Sequence, residues 1–251
     1  MNRLLGFAIM GCIFASLIGL SALSKEIHIP VDAPLAGTVL IAESFYEQVK
    51  GEDDPVPLQF EAWQNGVMRP SDWFDMRIEA HPGDVLILSP GQYKADLWVF
   101  APGITITTEP DAEGMAEIWG TVEIDADGII LERIAVTGPR KNNSSGHGIE
   151  VNREVVDRIT IRNCLVEDNE WMGIHVIGPR GEIREFRVEN CAVLNNGSFG
   201  IEVQGVENLI ITGCTVTGNS EGVHIGSNIS NVEMSDNVIY GNGLDVYRKG
   251  Q

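Results

Sequence analysis

Residues 159–176 read ITIRNCLVEDNEWMGIHV, residues 186–203 read FRVENCAVLNNGSFGIEV, and residues 209–225 read LIITGCTVTGNSEGVHI. Laid under one another, they share one grammar. A short alternating apolar segment runs into a polar corner, and a cysteine opens a second apolar segment. An asparagine-bearing stretch follows, then glycine with apolar, variable and apolar residues behind it. Cys164, Cys191 and Cys214 are 27 and 23 residues apart, and Asn237 follows 23 later. A further copy starts at Val232 (VEMSDNVI), and a diverged one precedes the set at Ile129 (IILERIAV). The glycine-led pieces are GIEV (148–151), GIHV (173–176), GIEV (200–203), GVHI (222–225) and GLDV (243–246).

Each repeat carries three alternating apolar segments that are too short for helices. One such unit cannot bury its apolar face, whereas stacked units can. Three strands per turn at a period of 21 to 27 residues, with the strong right-handed preference of parallel crossovers, predict an all-β fold. It is a right-handed parallel β-helix, a single-stranded solenoid of three sheets. Asn163, Asn190, Gly213 and Asp236 fall at the corner between second and third strands. These residue types tolerate the left-handed backbone that a tight corner needs. Asn169, Asn196, Asn219 and Asn242 form a second column, and stacked asparagines can hydrogen-bond along it. The three cysteines share one inward position, about 4.8 Å apart along the stack. They read as small core hydrophobes rather than redox or metal groups, and their odd number argues against a disulfide framework.

The repeats place the solenoid at 83–246. Before it, Met1-Asn2-Arg3, an apolar run over 4–20 and the small residues Ser21, Ala22 and Ser24 read as a secretory signal peptide, residues 1–24, cleaved after Ser24. An uncleaved anchor is the competing reading. The expected destination is secreted or periplasmic, and no other segment is apolar enough for stable membrane insertion after signal removal. The formal net charge is −19, one unit more negative without Arg3. Such a surface repels nucleic acid. Residues 25–82 form a non-repetitive segment and cap, with a loop at 51–57. Within it, Ser71 could start a short helix through Ala80, and a strand through Met76, Ile78 and Ala80 competes with that helix. Residues 247–251 are a tail. The last coil then has an open parallel edge, to be covered by a partner, by the tail, or by self-association with a second copy through the C-terminal end.

The middle residue of each first strand points outward. In order, that column is Trp98, Glu123, Glu150, His175, Glu202, His224 and Asp245. Like charges at about 4.8 Å would repel by roughly 1–3.5 kcal/mol, and alternating Glu with His relieves this. That is the purely structural reading. Two functional readings compete with it. Glu150, Glu202 and His224, with His175, could hold a divalent cation, the mixed oxygen and nitrogen ligands suiting zinc or manganese better than calcium. Alternatively the column is a catalytic floor, with His175 between two carboxylates as a proton donor. The loops entering this face bring Arg140, Lys141 and His147 beside Glu150, then Glu170 and Trp171, then Phe199. Trp171 and Trp98 read as sugar-stacking surfaces, or as rings packed on their own coils. Loops leaving the face carry Arg153, Arg158, Arg180 and Arg184, and nine of the 17 Lys and Arg residues lie between Arg133 and Arg187. An acidic floor with an arginine rim fits an acidic sugar chain, its carboxylates met by arginine. Pairing of those arginines with nearby Asp and Glu is the alternative.

The stretch PGDVLILSPGQY (82–93), followed by the tandem N-C-x-V and G-I-x-V units, resembles the pectate-lyase-like superfamily of right-handed β-helices. The resemblance covers roughly 83–246. It implies that the Glu/His face lines a substrate groove and that a helix seals the open top of the core. It also implies proton removal beside a uronate carboxylate by an Arg or Lys, for which Arg153 and Arg180, then Lys141, are the position-compatible residues. No full catalytic motif of a named lyase family is present, and the aspartate clusters of the calcium-dependent lyases and galacturonan hydrolases are missing. Enzyme status is therefore left open. The leading expectation is an exported protein acting on a polysaccharide, as a lyase or epimerase of an acidic glycan. The alternatives are a non-catalytic glycan- or metal-binding module and a structural or adhesive solenoid.

Overall fold

A computed structural model describes residues 24–31, 36–42, 46–47, 56–57, 62–64, 67–69, 76–138, 146–151, 156–178 and 183–249. Among them every regular element is a strand, and alternation is the cause. Inward positions such as Ile159, Ile161, Val166, Ile174 and Val176 are fully buried, while the residues between them face outward.

The strands stack into three parallel faces. The first face holds Ala36–Ala42, the end of Gly91–Val99, Val122–Ile124, Ile149–Val151, Ile174–Ile177, Phe199–Gln204, Glu221–Ile225 and Leu244–Arg248. The second face runs from Glu26–Ile29 through Val85–Leu88, Thr105–Thr108, Ile130–Glu132, Ile159–Arg162, Ile183–Glu189 and Val206–Thr212 to Asn231–Ser235. The third holds the start of Gly91–Val99, then Ala116–Ile118, Ile134–Thr137, Leu165–Glu167, Ala192–Leu194, Thr215–Thr217 and Val238–Tyr240. Gly91–Val99 turns the corner from third to first face, pairing through Tyr93 with Ile118 and through Trp98 with Glu123.

Parallel stacking also takes in strands ahead of residue 83. Glu26–Ile29 pairs with Val85–Leu88, and Ala36–Ala42 lies between Met76–Glu79 and Gly91–Val99. Of the two readings of 71–80, the strand forms over Met76–Glu79, because Ile78 and Ala80 alternate onto the core. The start of the expected helix, 71–75, lies outside the described residues, as do 1–23.

The corners explain the repeat. Asn163, Asn190, Gly213 and Asp236 all have φ between 53° and 65°, and Arg133 takes the same position at 52°. Asp168, Asn195, Gly218 and Gly241 have φ between 54° and 76°. Each stands immediately before a ladder asparagine and aims the next side chain inward. Asn169 donates from Nδ2 to Asn196 Oδ1 at 2.8 Å, Asn196 to Asn219 at 3.0 Å and Asn219 to Asn242 at 3.0 Å. Each acceptor oxygen also takes the backbone N–H of the asparagine one coil earlier. The glycines Gly148, Gly173 and Gly200 make room for this ladder: a Cβ on Gly200 would lie 2.8 Å from Asn219 Nδ2 and 2.7 Å from Gly222 O.

Cys164, Cys191 and Cys214 are free, buried and stacked. Each thiol donates to backbone carbonyls, as Cys164 does to Arg162 O at 3.2 Å. The hydrogen bond with Cys164, followed by burial, pushes the Cys191 thiol up to about 12; the Cys191 thiol and burial also raise Cys214. Thiolate is the reactive form. For Cys164 burial raises the thiol, but hydrogen bonds from Cys191 and the backbone outweigh it and lower it, so the protection common to all three is burial. Native protein treated with iodoacetamide at neutral pH should keep all three cysteines unmodified in peptide maps, whereas guanidinium should expose all three. Alkylation of the native protein would show that the column is open.

In the last described coil the inward positions are exposed. Val246 is 43% exposed, whereas Val223, its partner one coil earlier, is fully buried. Leu244, Val238 and Tyr240 are also exposed.

Candidate functional site

The register brings the expected column together and corrects its last member. Leu40, Trp98, Glu123, Glu150, His175, Glu202, His224 and Tyr247 are successive partners on the first face. Asp245 is not among them. Val223 pairs with Val246 rather than Leu244, so the final coil is displaced by two residues from its GLDV alignment. Asp245 instead accepts from Asn242, through Nδ2 at 3.1 Å and the backbone N–H at 3.3 Å.

The column is not an open floor. Glu123, Glu150 and Glu202 are each 6% exposed and His175 is 7% exposed. Trp98, expected to stack on a sugar, is buried against Leu40 and Ala42, with Phe100 packed alongside at a ring separation of 6.3 Å. The added strand Ala36–Ala42 is what turns this upper part of the face into a second small core.

At the centre, His175 lies between two buried carboxylates. Its Nδ1 is 3.7 Å from Glu150 Oε1, and its Nε2 is 3.4 Å from Glu202 Oε2. Gln204 Nε2 donates to Glu202 Oε1 at 2.8 Å. His147 stands at the turn before Glu150, and its ring centre is 4.3 Å from that of His175. Burial holds the His147 imidazole below its ordinary value, against the opposing pull of Glu150. One potential ligand atom from each of His147, Glu150 and His175 lies within 4.8 Å of the others. The Nδ1 atoms of His147 and His175 are both buried without a hydrogen-bond partner.

His224 belongs to a different arrangement from the cation set expected for it. Its ring sits between Phe199 at 4.7 Å and Tyr247 at 4.6 Å, and Nδ1 is 2.7 Å from Glu221 Oε2. Glu202 contacts His175 from the side away from Glu150. The metal-compatible group is thus His147, Glu150 and His175, with Glu202 behind it.

Along the edge where third strands return to the first face, aromatic rings reach solvent. Trp171 is 54% exposed and Trp119 36%, and at the end of the column Tyr247 is 39% exposed. Gly146 lies under Trp171, and Gly138 lies under Trp119; Lys94 Nζ is 5.0 Å from the Trp119 ring centre.

The arginine rim is only partly described. Arg140, Lys141, Arg153 and Arg180 lie outside the described residues. Arg158 and Arg184 both pair with the buried Asp157, at 3.2 and 2.5 Å. Arg162 pairs with Glu132, and Arg187 with Glu185 and Glu189. These four arginines pair with neighbouring acids.

Gln204, Glu221 and Tyr247 were absent from the sequence reading. Gln204 follows Glu202 by two on one strand, so strand alternation puts both on one side. Tyr247 follows His224 by 23 residues, the spacing that separates Cys214 from Asn237.

No curated protein and no solved structure matches the chain. The family described as right-handed beta helix region matches residues 121–250, just over half of the chain and all of the column from Glu123 onward. Stacked parallel strands, left-handed corners and this match agree: the chain belongs to the right-handed β-helix family.

Proposed function

We propose that this is an exported polysaccharide-binding protein whose contact line is the aromatic edge of the first face. The observation that supports it is the exposure of Trp119 and Trp171 on the edge leading into the first face, with the exposed Tyr247 of that face stacked with His224, whose other side meets Phe199. Flat rings presented at coil spacing offer the apolar faces on which pyranose rings stack. Trp119 and Trp171 are two coils apart, about 10 Å. Small residues beneath Trp119 and Trp171 set the rings close against the solenoid, which limits the entropy lost on binding.

Binding along the edge fits better than turnover on the column, because a sugar cannot reach His175 while the column is closed. Lyase or epimerase action on an acidic glycan would draw on Lys141, Arg153 or Arg180 as the base. An acidic chain would also have to overcome the net charge of −19 by local arginine contacts.

The test is affinity electrophoresis against uronate and neutral polysaccharides. Retention by at least one of them is expected, and Trp171→Ala should weaken it about tenfold, the loss of one stacking contact. Equal retention of wild type and variant, or none on any gel, would sink the proposal. Unsaturated uronate ends appearing during incubation would replace binding with lyase action.

A further inference from the structure

We infer that His147, Glu150 and His175 form a binding site for a divalent transition ion of the zinc class, with Glu202 and Gln204 as its supporting shell. This goes beyond the glycan reading and does not depend on it.

Four observations carry the inference. First, the three side chains converge from adjacent coils: Glu150 and His175 are register partners, His147 precedes Glu150 by three residues, and their ligand atoms are within 4.8 Å of one another. Tetrahedral zinc with bonds of about 2.0–2.1 Å needs its ligand atoms about 3.3 Å apart.

Second, the Nδ1 atoms of His147 and His175 are both buried and lack a hydrogen-bond partner, and His175 is only 7% exposed. Buried polar atoms are nearly always satisfied. Two orphaned imidazole nitrogens within reach of one carboxylate are what a cation would complete.

Third, a carboxylate already faces the far nitrogen of His175. Nε2 faces Glu202 Oε2 at 3.4 Å, and Gln204 fixes the other oxygen of Glu202 at 2.8 Å. A carboxylate on the outer nitrogen of a ligating histidine sets the tautomer and leaves the inner lone pair for the metal. Gln204, Glu202 and His175 are placed for this arrangement across two coils.

Fourth, the donor set discriminates. Two imidazoles and one carboxylate suit zinc and its first-row neighbours, whereas calcium and magnesium require mostly oxygen ligands. Three protein ligands leave a fourth position for water or another small ligand.

The test uses zinc alone on untagged protein stripped with chelator and dialysed. Calorimetric titration should give one site, and cobalt(II) in its place should give the visible absorption of a tetrahedral centre. His147→Ala, at a turn, should weaken zinc binding at least 100-fold while far-UV circular dichroism and the chelator-treated melting midpoint stay unchanged. Glu202→Gln should weaken it about 10- to 100-fold, as expected for an outer-shell partner. His224→Ala, one coil below Glu202, should leave it unchanged. Zinc should raise the melting midpoint of wild type and not that of His147→Ala. Absence of saturable binding, or binding indifferent to His147→Ala, overturns the site. Equal loss in His224→Ala overturns the residue assignment. The glycan gels run in chelator remain interpretable in either case.

Discussion

Asn196→Ala is expected to lower the unfolding free energy by about 3–5 kcal/mol, a large fraction of what a domain possesses. Asn196 is 2% exposed. Its amide donates to Asn219 Oδ1 and to Val166 O, and its oxygen accepts from both the backbone N–H and the Nδ2 of Asn169. Truncation strands the Asn169 amide groups and Val166 O in the coil above and removes a donor from Asn219 Oδ1 in the coil below. Each stranded buried group carries a desolvation penalty of about 1–3 kcal/mol. The urea midpoint at fixed temperature reads the effect. A midpoint within error of wild type would mean that the ladder is incidental to stability.

Phe186→Ala should cost a comparable amount, about 3–5 kcal/mol, by a different route. Phe186 is fully buried on the second face, stacked between Ile159 and Leu209. Removing the ring loses its transfer free energy and leaves a cavity that in-register strands cannot close, because their separation is fixed by backbone hydrogen bonds. Phe186→Leu should recover most of the loss, since Leu209 already fills the equivalent position one coil later. Urea denaturation of both variants checks this. Equal destabilisation by Leu and Ala would point to something specific to the aromatic ring rather than to volume.

The parts of the molecule that the repeat states twice or more were legible in the sequence. The inward Ile and Val positions, the cysteine stack, the Asn163 corner and the Asn169 ladder all recur at matching offsets, and stacking converts offset into contact. Legibility failed where the repeat ends or where burial comes from outside it. The GLDV segment resembles its predecessors in letters, yet 23-residue spacing, not letters, sets the pairing of Tyr247 with His224. Trp98 read as a surface residue because nothing in its own coil hides it; the strand Ala36–Ala42, some sixty residues earlier, does. The Glu/His alternation was visible. The sequence could not show that His147 swings against His175, or that Gln204 holds Glu202, because turn geometry and side-chain rotation decide both.

The asparagine column has a direction. Along the ladder each side-chain amide turns one N–H toward the next asparagine on the C-terminal side and its oxygen toward the one before, so the ladder bonds all run head to tail. The positive end of that row emerges at Asn242, and the group that meets it is the carboxylate of Asp245. An anion there does for a stack of side chains what an aspartate does at the start of an α-helix. Carrying no N–H, an ionised carboxylate also has no proton to hand to a further coil, which makes Asp245 a chemical full stop for the row.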